Sequence, residues 1–330
     1  MTDRNTLEDK LKQKLANGEI DQEEFDSMMK KFADLDLLSS RVESGSRKNY
    51  SFSGSKTIEG GEISQPIRVS GKLNSTGSIS CPSISVSGSA TIQGALTVVG
   101  PSKISGSLRI QDDAKFGSYF KLSGMTEIGG SAYFTDDLKV SGKLLVEEKL
   151  VTGSDMKISG RLDADSINSE ARIKLSGKVT VANNIIAEEF ITSGGRSLVE
   201  GSIRATTVEI AKKNRPKIEQ QKEIEDEFNR EFGDDEEFGS LGSFIANMVT
   251  SFVPKVLNST LGVNRVPGIF TIKQNIEADQ IDISYTHVGG DVIGNDIIIG
   301  PDVVIEGRIK YRNSINVPED SSYKIEKIDE

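Results

Sequence analysis

The chain is poor in the side chains that most often carry catalysis. Its 330 residues include no Trp, one His and one Cys, and its aromatic content is 6%. A single cysteine, Cys81, excludes an intramolecular disulfide, and a single histidine, His287, excludes a zinc site built from three His ligands. No glycine-rich phosphate loop follows a predicted strand. We therefore expect no cofactor and no enzyme activity.

Long apolar runs and an excess of positive charge are also missing. No uninterrupted apolar run is long enough to span a bilayer, and residues 1–17 lack the apolar core of a signal peptide. The formal net charge is −10 and the pI is near 5.0, whereas a nucleic-acid-binding domain is usually basic. We expect a cytoplasmic protein without a nucleic-acid partner.

A Ser-Gly pair recurs nine times between residues 53 and 194, at spacings of 17 or 18 residues. The residue before the pair is apolar in every copy except the last, where it is Thr192. A fixed period of this kind is typical of a solenoid, in which each repeat buries its apolar face against its neighbours. The pair predicts a corner of the coil, and we interpret its Gly as a residue in a left-handed backbone conformation.

The apolar residues inside one repeat follow steps of four, two, four, two and four. In one coil they are Ile104, Leu108, Ile110, Ala114, Phe116 and Phe120. A step of two keeps side chains on one face of a strand, whereas a helix needs steps of three and four. Three such pairs per turn predict a mainly β fold. It is a single-stranded parallel β-helix with triangular coils of 17–18 residues, stacked about 4.8 Å apart so that Ile104, Leu122 and Val140 touch.

The patterns divide the chain into six segments. They are a helical hairpin at 1–38, a linker at 39–50, the main β-helix block at 51–211, a helical insertion at 212–266, the β-helix continuation at 267–318 and an acidic tail at 319–330. Gly290 and Gly307 repeat the corner at a spacing of 17 and mark the continuation. In all we expect about twelve coils. A tail folded over the last coil would limit assembly through that end.

The first segment contains the stretch LEDKLKQKLANGEIDQEEFDSMMKKF. Leu7, Leu11 and Leu15 line one face of a predicted first helix, and Asp21 with Glu24 forms the capping box of a second. This stretch resembles the two-helix module known as the SHOCT domain. The resemblance implies an element for oligomerisation or tethering.

The insertion carries an apolar stripe with helical spacing. It comprises Leu241, Phe244, Ile245, Met248, Phe252 and Val253. Two interpretations compete. The favoured one packs this face against the rest of the protein, because amphipathic stripes usually belong to a core. The other lays it on a membrane surface, where bulky apolar residues insert between lipids.

A basic residue stands two positions before the Ser of most Ser-Gly corner pairs. We call this set the basic stripe, and it comprises Arg68, Lys103, Lys121, Lys139, Lys157 and Lys174. Stacked like charges repel unless they are compensated. The favoured interpretation is local pairing with acidic neighbours, namely Asp113, Asp137, Asp155 and Glu170. The alternative is a surface for anionic lipid, an acidic filament or a polyanion.

The coil length, the glycine-marked corners and the phrases VSGKL at 140–144 and VVIEG at 303–307 resemble the bactofilins, the polymer-forming cytoskeletal proteins. The resemblance covers residues 50–211 and 268–317. It implies a right-handed helix and a self-assembling scaffold whose filaments form end to end without nucleotide. It also implies association with the inner face of the membrane and roles in cell shape or in positioning other proteins. The hairpin, the insertion and the larger number of coils depart from the usual member.

The two ends of a β-helix carry unpaired strand edges, which recruit further strands unless they are capped. The residues expected to make end-to-end contacts are Phe52, Ile58, Ile309, Tyr311, Ile315 and Val317. Two other functions stay open. One is a hexapeptide-type acyltransferase with His287 as general base, since residues 299–307 look like a hexapeptide repeat. The other is a scaffold that binds partners without polymerising.

Overall fold

The computed structural model describes residues 50–193, 195–211, 269–319 and 321–328, together with five single helical residues between Lys12 and Met29. In the described ranges almost all regular structure is β. The strands pair in parallel as a β-solenoid of about twelve coils, which confirms the predicted fold class in its main feature. Apart from the five single residues, the predicted hairpin at 1–38 and the insertion at 212–266 lie outside the described residues.

Each coil contributes a strand segment to three parallel columns, which we name A, B and C in chain order. Column A contains β1 (Tyr50–Phe52), β4 (Ile67–Val69), β7 (Ile84–Val86), β10 (Ser102–Ile104), β13 (Phe120–Leu122), β16 (Leu138–Val140), β18 (Met156–Ile158), β20 (Arg172–Leu175) and β23 (Glu189–Thr192). Column B contains β2 (Ser55–Ile58), β5 (Lys72–Ser75), β8 (Ser89–Ile92), β11 (Ser107–Ile110), β14 (Met125–Ile128), β21 (Lys178–Val181), β24 (Leu198–Val199), β26 (Phe270–Ile272), β28 (Thr286–Val288) and β30 (Val304–Ile305).

Column C and the strands that run around a corner complete the solenoid. Column C contains β3 (Gly61–Glu62), β6 (Ile79–Cys81), β9 (Leu96–Val98), β12 (Ala114–Phe116), β15 (Ala132–Phe134), β22 (Ile185–Ile186) and β32 (Lys324–Lys327). β17 (Lys143–Thr152) and β19 (Arg161–Ser169) pass from column B into column C. β25 (Ile203–Ile210), β27 (Ile276–Ile283), β29 (Val292–Ile299) and β31 (Arg308–Asn316) pass from column C into column A.

The register of column A confirms the predicted stacking of residues 17 or 18 positions apart. Ile104 pairs with Leu122, and Leu122 pairs with Val140. All three side chains are fully buried, because successive residues of a strand point alternately into the core and into solvent. Every apolar position predicted for the coil that begins at Ile104 belongs to the same core cluster. For this coil the sequence pattern therefore predicted the core residue by residue.

The Ser-Gly corners connect column A to column B, and their glycines have a different role from the predicted one. The described glycines with positive φ are Gly60, Gly61 and Gly195, none of which belongs to a corner pair. At Gly124 a Cβ atom would overlap the carbonyl oxygen of Gly106 in the preceding coil. The expectation of a left-handed corner glycine was wrong. Glycine is required there because the backbones of adjacent coils approach too closely for a side chain.

A left-handed backbone does occur at the same corner in later coils, on residues other than glycine. They are Ala211, Tyr285 and Asp302, with φ angles of 57°, 50° and 54°. Each follows the column A segment of its coil, where the Ser-Gly pair stands in earlier coils. The corner therefore changes its construction at the point where the insertion leaves the solenoid.

The solenoid continues across the insertion without a break in stacking. β25 before the insertion pairs with β27 after it, so that Val208 lies beside Ile281 although 73 positions separate them. β24 pairs with β26 in the same way. Both blocks belong to one compact unit. The chain therefore leaves the solenoid at the corner between columns A and B, where the insertion begins, and re-enters it at the same corner.

Candidate functional surfaces

The basic stripe forms a single file on the outer face of column A. Lys103 pairs with Lys121, Lys121 with Lys139, Lys139 with Lys157, and Lys157 with Lys174. Arg68 lies two coils before Lys103, with Ser85 between them in the register. Neighbouring strands lie about 4.8 Å apart. Five lysines thus occupy five successive coils, and the strands that carry them pair directly with one another.

The predicted ion pairs between the basic stripe and its acidic neighbours do not form. None of the six cations has an ion pair or a hydrogen bond with a described residue. The Asp113 carboxylate accepts the backbone N–H of Ser131 at 2.9 Å, and the Asp137 carboxylate accepts the Ser154 hydroxyl at 2.7 Å. Glu170 is buried. Asp113 and Asp137 are therefore engaged in holding corners, and the stripe has no ion-pair partner in the described part of the chain.

The flank of the stripe changes character along the solenoid. Two positions before each stripe residue stand Pro66, Pro101 and Tyr119 in the early coils and Asp137, Asp155 and Arg172 in the later ones. Around the early coils a groove of about 730 Å³ is lined by Arg68, Lys103 and Lys121 together with Ser85 and Tyr119. The first three cations of the stripe therefore face a neutral groove, whereas the next two have a carboxylate beside them.

A line of serine hydroxyls borders the basic stripe on its other side. The hydroxyls of Ser70, Ser159 and Ser176 donate to carbonyl oxygens of the preceding coil at 3.3–3.5 Å. At the corner, the backbone N–H groups of both Ser123 and Gly124 donate to the carbonyl oxygen of Ile104, at 2.8 and 3.3 Å. These bonds fix the height of each coil and so hold the stripe in line.

A second corner motif, between columns B and C, was missed by the sequence analysis. The side-chain oxygens of Asp113, Asn184, Asn275 and Asp291 each accept a backbone N–H from the next coil at 2.8–2.9 Å. Each acceptor directly precedes the first inward residue of column C, which is a signal that an alignment of the repeats would reveal. Asp291 also accepts a hydrogen bond from Lys310 Nζ at 2.7 Å, and this bond lowers the pKa of the Asp291 carboxyl below its ordinary value.

The N-terminal end of the solenoid has a lysine in an inward register position. Lys56 pairs with Leu73, whose side chain is fully buried. The Lys56 ammonium lies 5.3 Å from the ring centroid of Tyr50 and 5.5 Å from that of Phe52, within cation–π range. Among the predicted end contacts, Phe52 is buried and Ile58 is half-buried. An inward-pointing charge is a known way to protect a sheet end against strand addition.

At the C-terminal end the tail pairs with one column, and Tyr323 packs against the core beside a second. The tail forms β32, which pairs with residues 308–311 of β31, so Ile309 is fully buried beneath it. Tyr323 Oη donates to the Val303 carbonyl at 2.7 Å. In columns A and B the last strand segments have no further partner among the described residues. The other predicted contacts, Tyr311, Ile315 and Val317, are half-buried against the core.

The remaining chemically interesting side chains do not converge. His287 lies on the outer face of column B, and its Nε2 is 2.8 Å from Glu306 Oε1. Cys81 is buried in the core, and burial raises the pKa of its thiol to about 12. Within the described ranges no three His, Cys, Asp or Glu side chains are placed to hold a metal ion.

The predicted membrane-facing residues lie outside the described residues. They are Leu241, Phe244, Ile245, Met248, Phe252 and Val253. None of the helical residues in the described part of the chain belongs to a helix with the length and hydropathy to cross a membrane. Comparison of the chain with protein-family models, with curated proteins and with solved structures gives no match.

Proposed function

We propose that this protein is a self-assembling structural scaffold of the cytoskeletal type, whose copies associate through the ends of the solenoid. The observation that carries the proposal is the C-terminal end, where the last strand segments of columns A and B have no strand partner among the described residues and half-buried apolar side chains lie beside them. Such edges pair readily with further strands. Assembly of this kind needs no nucleotide, because the bonds that drive it are backbone hydrogen bonds and apolar contacts.

The two ends differ in the cost of association. A contact at the C-terminal end would cover Ile305, Ile315 and Val317, which are apolar and half-buried. A contact at the N-terminal end would also cover the ammonium of Lys56, and burial of an unpaired charge costs several kcal/mol. We therefore expect the C-terminal ends to join first. Filaments, which require both ends, should form only at higher protein concentration.

The resemblance to bactofilins adds three features to the proposal. They are a right-handed coil, a cytoplasmic location at the inner face of the membrane and a role in positioning other proteins. The continuous core and the regular coils favour this role, because coils bonded to their neighbours along three columns form a rigid platform on which partners can bind.

The test is the association state of the full chain without nucleotide. Light scattering and negative-stain microscopy of wild type should show dimers that grow into filaments as concentration rises. Ile315→Lys places a charge in the proposed C-terminal contact and should weaken association about tenfold or more.

Val304→Lys is the matched control, because Val304 is 56% exposed on the outer face of the last coil. It adds the same charge one strand away and should leave association unchanged. A wild-type protein that stays monomeric at all concentrations, or equal effects of the two variants, would refute the proposed end contact.

A further inference from the structure

We propose that the basic stripe binds an unbranched polyanion with a phosphate in each repeat unit, laid along the stacking direction, with its strongest contacts in the groove of Arg68, Lys103 and Lys121. This site lies on the side of the solenoid. It is therefore independent of the end contacts proposed above.

The basic stripe has an energetic cost in the free protein. Like charges directly opposite each other on neighbouring strands are destabilising, by roughly 0.2–1 kcal/mol for each pair. The stripe contains four such lysine pairs in a row, and none of the lysines forms an ion pair with a carboxylate among the described residues. A protein that keeps this arrangement loses stability unless an external anion compensates the charge.

The shape of the surface suits a linear ligand. The stripe is one residue wide, and from Arg68 to Lys174 it advances by six coil steps, or about 29 Å. A line of cations matches a linear chain of anions better than it matches a single small anion. In the groove, Ser85 stands between Arg68 and Lys103 in the register, so a small side chain leaves room for a phosphate between two cations.

A narrow chain of phosphates fits this surface better than a membrane or a second copy of the protein does. A flat anionic membrane would bring its headgroups against Asp137 and Asp155 as well as against the lysines, whereas a narrow chain can follow the file of cations. A second copy would need a matching file of carboxylates. A copy that docked through its own column A would offer only Glu209 and Asp282 in the register of the stripe among the described residues, and Asp282 is buried.

The experiment measures binding of full-length protein to inorganic polyphosphate by fluorescence anisotropy at several salt concentrations. The test variant is Arg68→Gln/Lys103→Gln/Lys121→Gln. The control variant is Lys72→Gln/Lys143→Gln/Lys178→Gln, which removes the same charge from the edge of column B. The test variant should lose affinity about tenfold or more. Its slope of log K against log salt should become shallower by about two, because each lost contact on a single chain removes about 0.7.

Two further arms identify the source of the phosphate and check the fold. Oligouridylate that binds as well as polyphosphate would indicate recognition of any phosphate chain, whereas binding of polyphosphate alone would indicate selection for charge density. Both results support the proposal. The melting temperature of the test variant at low salt should rise above that of wild type, since the substitutions remove repulsion; a variant that merely misfolds would melt earlier.

The proposal is overturned by any of four results. Three are absence of polyphosphate binding to wild type, an equal loss in the control variant, and binding to phosphatidylserine vesicles in preference to polyphosphate. Competition by free inorganic phosphate at the same phosphate concentration would also contradict it, because a single anion cannot span the file.

Discussion

Two hydroxyl groups lie in the solenoid core without a hydrogen-bond partner. Ser102 and Thr126 are buried, and neither side-chain oxygen has a partner among the described residues. In the neighbouring coils the position of Thr126 is occupied by Leu108 and Leu144. An unsatisfied buried hydroxyl costs about 1–3 kcal/mol. These two residues are therefore local weak points in the core, whereas other buried hydroxyls, such as those of Thr152 and Thr286, donate to backbone carbonyl oxygens.

Replacement of Thr126 by Val should stabilise the protein. The change keeps the branched shape and removes the unsatisfied group, so Thr126→Val should raise the free energy of unfolding by about 1 kcal/mol, measured by urea denaturation. Thr91→Val, on the outer face of the same column, is the control and should change stability by less than about 0.5 kcal/mol. A loss of stability in Thr126→Val would mean that the hydroxyl is satisfied by a buried water.

At the residue scale the sequence predicted most inward positions, because the steps of four and two repeat in every coil. Leu108 and Phe116 were found in this way, and both are fully buried. Lys56 was missed, although it stands four residues after Phe52 and two before Ile58, in an inward position. The pattern identifies an inward position, but it does not show that this position lies in the end coil. There the side chain is exposed, and it can therefore carry a charge.

The corners are the elements that set the distance between coils. In the Ser-Gly corner, a Cβ on Gly124 would overlap the carbonyl oxygen of Gly106, and a Cβ on Gly142 would overlap that of Gly124. The first glycine of the column is different, because nothing lies within 4 Å of a Cβ built on Gly54. The same residue type thus has a strict role inside the stack and a loose one at its end.

This contrast gives a matched pair of substitutions. Gly124→Ala should destabilise the solenoid by about 3 kcal/mol or more, because the overlap is with backbone and cannot be relieved by a side-chain rotation. Gly54→Ala should change stability by less than about 1 kcal/mol. Thermal and urea unfolding followed by circular dichroism checks both. Equal effects would indicate that the corner glycines act through backbone conformation after all.

The sequence predicted where the corners lie but gave the wrong reason for their composition. Spacing shows that Gly124 and Gly106 are neighbours, yet it contains no information on how closely their backbones approach. The Asp and Asn caps between columns B and C were overlooked for a related reason. Asp113 and Asn184 are ordinary polar residues in the sequence, and their role depends on the N–H groups of Ser131 and Ser202 in the next coil.

On the scale of the whole molecule, the stacking is independent of the chain that interrupts it. The corner between columns A and B normally needs two residues, as at Ser141 and Gly142, yet here it also accommodates residues 212–268. Closure of a loop costs only about 0.6 kcal/mol for each doubling of its length. The bonds between β25 and β27 supply the register on both sides of the interruption. The solenoid should therefore form with or without the insertion.

Replacement of residues 212–268 by one glycine tests this independence. The change removes 56 residues net, so the separation of Val208 and Ile281 falls from 73 to 17 positions, the length of an ordinary coil. The shortened chain should keep its β circular dichroism and unfold at least as late as wild type, because loop closure becomes less costly. A five-residue Gly-Ser replacement is the control and should behave alike within about 1–2 kcal/mol. If both shortened chains unfold early, the insertion contributes stability of its own; if they keep the fold but assemble more strongly, the insertion limits contacts between copies.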